Sequence, residues 1–199
     1  MDYREYHLGR LEYGKIFLLA VGVSLLISFL FYRSIGGLCC FPILFWLFCK
    51  REKEIAKEKR SQKLLEEFVS GVGILNTSLQ AGMSMENAWK EVQKELEVMY
   101  GTSSMFFKEV KEVNHSVALN VPIEKVIVQF AYRSGLEDVI VFAELFSYGK
   151  RSGGNWRRMI QDVVQHIQDK YDVSKEIEVM VASKKLEQQV LNIIPLGIL

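Results

Sequence analysis

The chain has almost no surplus of charge of either sign. It has 25 lysines and arginines against 24 aspartates and glutamates among 199 residues, a formal net charge of +1. This balance argues against a nucleic-acid binder that relies on overall basicity. Cysteine is also scarce, and Cys39, Cys40 and Cys49 show no spacing typical of a disulfide framework or a zinc site. We interpret these three cysteines as small apolar side chains.

Charge is nearly absent from residues 16–49, where Arg33 is the one charged residue. Two apolar runs, Ile16–Tyr32 and Leu38–Cys49, flank a turn-forming Ser34–Gly37 segment. The first run has about 17 residues, which is near the lower limit for a spanning helix. The pattern predicts a transmembrane hairpin over residues 16–49. One spanning helix followed by a re-entrant or interfacial segment is the alternative.

Basic residues are concentrated on one side of the predicted hairpin. Residues 50–63 contain seven lysines and arginines, and residues 1–15 contain three more. Cytoplasmic flanks of membrane helices carry such an excess. We therefore expect a cytoplasmic N-terminus at 1–15 and a basic juxtamembrane helix at 50–63, also in the cytoplasm. The prediction is a multi-pass protein of the plasma membrane whose main domain is cytoplasmic.

Strand-like alternation is missing from residue 61 onward, and amphipathic helical periodicity takes its place. The predicted fold class is all-α: an N-terminal transmembrane helical hairpin followed by a cytoplasmic antiparallel six-helix bundle at 64–192. The last helix is expected to run from about Trp156 to beyond Val190. The other boundaries rest on residues that favour capping or left-handed conformations: Gly82, Ser84, Asn120, Pro122, Gly135, Gly153 and Gly154.

The apolar positions of these helices define an expected core. Residues 137–149 are apolar almost all round, which is typical of a helix in the centre of a bundle. In the second helix, Met99 belongs to the apolar stripe. The residues predicted to be buried include Phe68, Leu75, Trp89, Phe130, Phe142 and Leu145.

Catalytic and metal-binding motifs are sparse. Residues 148–154 contain glycines and a lysine but lack the spacing of a phosphate-binding loop. Glu112 and His115 form one Glu-x-x-His pair, whereas a di-iron site in a bundle needs two. Asp162, His166 and Asp169 share a helix face, either as a metal or proton site or as an exposed ladder of ion pairs. We predict no catalytic, metal-binding or cofactor-binding residues, and no enzyme activity.

One charged corner is a candidate docking site for a partner. Arg133 is expected in the last turn of one helix, and Glu137 and Asp138 are expected in the first turn of the next, where the helix dipole favours them. Simple capping explains this pattern. The alternative is that the corner and the Gly153-Gly154-Asn155 loop together contact a partner.

An ordered set of short segments resembles the type II secretion F domain, in the form found in platform proteins of tight-adherence (Tad) pili, of the TadB/TadC type. The resemblance covers about residues 61–195. It rests on these segments in order: Leu64–Phe68, Leu79–Ser84, Phe107–Val110, Val121–Glu124, Phe130–Asp138 and Ser152–Asn155.

The resemblance implies a scaffold in the inner membrane of a bacterium, at the base of a pilus-assembly or type II secretion-like machine. It implies contact with a hexameric cytoplasmic ATPase, a second platform subunit, prepilins and membrane lipids. It implies neither a cofactor nor nucleic acid. Both TadB-like and TadC-like identities stay open. The alternative function is a membrane-anchored helical module for signalling or dimerisation.

The chain departs from the family pattern at two places. Val121 stands where the family often has glycine. Members of the family continue at this point into further membrane helices, whereas residues 193–199 are too short to span a membrane. The resemblance therefore implies that they begin a further membrane segment, and that either the protein is truncated or its sequence continues beyond residue 199. Ala20, Ser24 and Ser28 recur every fourth residue and would let helices approach closely in the membrane, which predicts a homo- or hetero-oligomer.

Overall fold

A computed structural model describes residues 14, 17–18, 21–22, 41–151 and 156–198, and the predicted hairpin at 16–49 lies largely outside them. Within these residues the protein is helical and contains no strand, so the prediction of an all-α fold is confirmed. The six long helices are α1 (Phe41–Gln80), α2 (Met85–Tyr100), α3 (Met105–Ala118), α4 (Ile123–Ser134), α5 (Glu137–Arg151) and α6 (Trp156–Ile198).

Helix α1 runs without interruption for 40 residues. Part of the second apolar run, the basic segment at 50–63 and the predicted helix from residue 64 are therefore one helix. The basic segment contains neither glycine nor proline, the two residues that most disfavour a helix interior. Over the ranges that the structure describes, no helix combines the length and the apolar character needed to cross a membrane.

The predicted helix ends are confirmed where capping chemistry fixes them. The hydroxyl of Ser84 accepts a hydrogen bond from the backbone N–H of Asn87 at 3.3 Å, which makes Ser84 the N-cap of α2. Gly82, Asn120 and Gly135 follow helix ends with φ angles of 84°, 61° and 65°. Glycine and asparagine tolerate this left-handed region best, and the chain can therefore turn sharply there.

The structure divides into two compact units. The larger unit comprises the described residues of Leu65–Tyr132 and Leu136–Leu199. Its core is built around aromatic rings. The ring of Phe68 meets those of Phe106 and Phe142 edge-on, with centroids 5.4 and 5.5 Å apart. Phe130 lies beside Phe106 at 5.5 Å. Such tilted and edge-on contacts are favourable for aromatic pairs.

The predicted core is mostly confirmed, with three corrections. Phe68, Leu75, Trp89, Phe130 and Phe142 are buried, as predicted. Leu145 is half-buried, because it borders a surface groove between two helices. Met99 is exposed in the last turn of α2, beyond the reach of its packed stripe. Helix α5 is not surrounded on all sides, since Val141 is 41% exposed.

A carboxylate lies inside this core, where charged groups are rare. Glu67 is fully buried, and its Oε2 accepts hydrogen bonds from the Ser104 hydroxyl at 3.0 Å and from the backbone N–H of Phe106 at 2.9 Å. It thereby caps the N-terminus of α3 from α1. One turn later, a Cβ on Gly71 would lie 2.4 Å from the Phe106 ring, so only glycine permits this approach of α1 to α3.

Replacing Phe142 with alanine should lower the free energy of unfolding by about 3–5 kcal/mol, because the change opens a cavity beside Phe68. Chemical denaturation of the purified chain measures this. Val141→Ala, on the exposed side of the same helix, is the control and should lower it by less than about 1 kcal/mol. Equal effects of the two changes would contradict the assignment of Phe142 to the core.

Replacing Glu67 with alanine should lower the free energy of unfolding by at least about 2 kcal/mol, because two buried donors at the start of α3 lose their acceptor. Glu67→Gln keeps an acceptor oxygen at this point, and it should lower the free energy by no more than about half as much. The same denaturation measurement compares the variants. A Glu67→Ala protein as stable as the parent would refute the capping role.

Candidate functional site

A groove of about 380 Å³ lies between α5 and α6, which pack along each other. Its floor is apolar and is formed by Val141 and Leu145 from α5 and by Met159, Val163 and Ile167 from α6. Except for buried Ile167, these side chains are half-buried or exposed. Accessible apolar side chains gathered in a concave surface are typical of a binding site.

An ion pair closes one end of the groove. Lys170 Nζ lies 2.7 Å from Asp138 Oδ1 and joins α6 to the first turn of α5. The hydrogen bond to Asp138 raises the pKa of Lys170, and the negative charges of Asp138 and Glu137 add to the effect. Lys170 therefore keeps its charge throughout the physiological pH range. The side chain of Asp138 is only 20% exposed, and the pair holds the two helices in register.

Further polar side chains stand along the rim. Asp162 and His166 lie on the α6 side, and both are exposed, as is Glu137 on the α5 side. Asp169, predicted on the same helix face, does not line the groove, and its Oδ1 accepts a hydrogen bond from Gln165 at 2.9 Å. Within the described part of the chain, no group of three or more histidine, cysteine or acidic residues is arranged to hold a metal ion.

The structure brings together two of the six predicted docking residues. Glu137 and Asp138 lie in the first turn of α5 and line the groove, while Arg133 is half-buried in the last turn of α4. The Gly153-Gly154-Asn155 segment falls outside the described residues. The bond to Lys170 gives Asp138 a role within the fold, whereas exposed Glu137 stays a candidate contact.

The groove itself was not predicted from the sequence. Met159, Val163 and Lys170 line it together with Asp162 and His166, the pair that the sequence had placed on one helix face. A signal was present, because Met159, Val163, His166 and Lys170 recur at intervals of three or four and Asp162 lies three residues after Met159 and four before His166, so all five share one side of α6. The α5 side of the groove could not be predicted, because the sequence of α5 is apolar almost all round and does not mark one side of the helix.

A second concavity, of about 620 Å³, lies along the outer side of α4. Tyr132 is 66% exposed there, and Lys125 and Gln129 supply polar atoms. Pro122 precedes the helix and borders the concavity. This surface combines an exposed aromatic ring with the ionisable side chains of Glu124 and Lys125.

Compared with models of protein families, with curated proteins and with solved structures, the chain matches none of them.

Proposed function

We propose that the chain is a platform scaffold of a pilus-assembly or type II secretion-like machine in the inner membrane of a bacterium. In this role it couples a cytoplasmic secretion ATPase to the assembly of pilins. The bundle stands on the cytoplasmic side, and a second platform subunit, prepilins and lipids are the further partners. The ordered resemblance to the type II secretion F domain supports this proposal, together with a described fold that is helical.

The continuity of α1 is the observation that carries the proposal. Its first nine residues, Phe41–Cys49, are apolar, and among them Trp46 and Leu47 are exposed. The basic segment at 50–63 follows without a break, and the same helix then supplies Phe68 and Leu75 to the core. An apolar and basic end is suited to a membrane and its anionic surface.

Co-purification tests the proposed partners. The full chain, carrying an affinity tag and extracted from native membranes, should retain a hexameric secretion ATPase or a second platform-like protein that mass spectrometry identifies. Retention of a sensor kinase or a regulator in their place would favour a signalling module. Retention of neither class would contradict the platform role.

Interrupting α1 tests the coupling. Glu58→Pro removes a helical hydrogen bond in the middle of the basic segment and should cost the helix about 3 kcal/mol locally. We expect this variant to keep the ATPase but to lose surface filaments or secreted product, because under this proposal the coupling runs through α1. Glu58→Ala is the control and should leave assembly intact. Normal assembly with the proline variant would show that α1 does not transmit the motion.

A further inference from the structure

Helix α6 changes character at Tyr171. Up to this point it is packed, with Ile160, Val164 and Ile167 buried, and burial raises the pKa of the Tyr171 phenol, with nearby Glu66 adding to the shift. Every residue from Asp172 to Gln188 is exposed. Exposed apolar side chains occur throughout this second half: Val173, Ile177, Val179, Met180, Val181 and Leu186.

Part of this exposed surface continues the side of α6 that lines the groove. Asp162, His166 and Lys170 line the groove, and Val173, Ile177 and Met180 follow at the same intervals of three or four residues. Residues at this spacing share one side of a helix. Groove and apolar stripe together form a single face, which reaches Lys184 and is about 33 Å long from Asp162 onward.

The charges on this face differ between its two ends. Asp162 stands at the groove end, where Lys170 is already bound to Asp138. Lys184 stands at the other end, on the exposed half. A surface with an acidic end, an apolar middle and a basic end is complementary to itself when a second copy runs in the opposite direction.

We propose that two copies of this chain associate through α6 in antiparallel orientation, with both helices parallel to the membrane surface, each laying the exposed half of its helix along the groove of the other. Val173 then lies at the twofold axis and meets its own counterpart. Lys184 of each copy pairs with Asp162 of the other. Met180 covers the apolar floor beside His166, so the exposed stripe and the open groove are both removed from water.

Single cysteines distinguish this arrangement from its alternatives, in the full chain with Cys39, Cys40 and Cys49 replaced by serine. Val173→Cys should form a disulfide-linked dimer on mild oxidation, because the two thiols meet at the axis. Met180→Cys should not, because antiparallel packing separates the two cysteines by about 21 Å along the helices. Val98→Cys, on the exposed surface of α2, controls for random collision.

Crosslinking at both 173 and 180 would indicate a parallel pair and overturn the proposal. Crosslinking at neither, with the ATPase still bound, would overturn self-association but leave the platform role standing. If Val98→Cys formed as much dimer as Val173→Cys, the crosslink at 173 would be explained by random collision. That result would also overturn the proposal.

A charge exchange tests the ion pair without any covalent bond. Asp162→Lys or Lys184→Asp alone should weaken dimerisation by about tenfold, because like charges then face each other. The combined Asp162→Lys, Lys184→Asp variant should restore it, as measured by sedimentation of the detergent-solubilised chain. These side chains are exposed in the single chain, so folding should be unaffected, and circular dichroism verifies this. Failure of the combined variant to restore the dimer would overturn the proposed register.

Discussion

The bundle depends on one aromatic side chain, because Phe68 is where four helices meet. It projects from α1 and contacts Phe106 of α3, Phe130 of α4 and Phe142 of α5, with ring centroids between 5.4 and 6.4 Å apart. A small bundle gains most of its stability from burial of such large apolar surfaces. Helix α5, which forms one side of the groove, is thus held against α1 by the same ring cluster.

Glu67 fixes how α1 packs against α3, but its burial removes a carboxylate from water. Its Oε2 holds the first turn of α3, but Oε1 is buried without a hydrogen-bond partner among the described residues. Burial of an incompletely paired carboxylate is unfavourable. The observed register of α1 against α3 supplies two donors to Oε2 and also places Gly71 against the Phe106 ring.

The sequence predicts the fold further than it predicts the site, and the reason is physical. Helix ends depend on local chemistry, so Ser84, Gly82 and Asn120 could be assigned from residue type alone. The groove depends on the distance between two neighbouring helices. The apolar stripe of one helix does not determine that distance. For that reason Leu145 was expected in the core, and Lys170 was not recognised as the partner of Asp138. The burial of Glu67 was missed for a similar cause, because a charged residue in a helix is usually exposed.

The two longest of the described helices, α1 and α6, both expose apolar side chains to solvent, but they differ in what could cover these side chains. On α1, the exposed Trp46 and Leu47 are followed by the segment at 50–63, which has seven basic residues against three acidic ones and therefore suits an anionic lipid surface. On α6, the exposed stripe has acidic and basic residues interspersed, and Lys175 already pairs with Glu178 along the helix. Mixed charge is repelled as much as attracted by an anionic membrane, whereas it can be matched by a protein surface of opposite pattern. The second half of α6 is therefore better suited to another helix than to lipid.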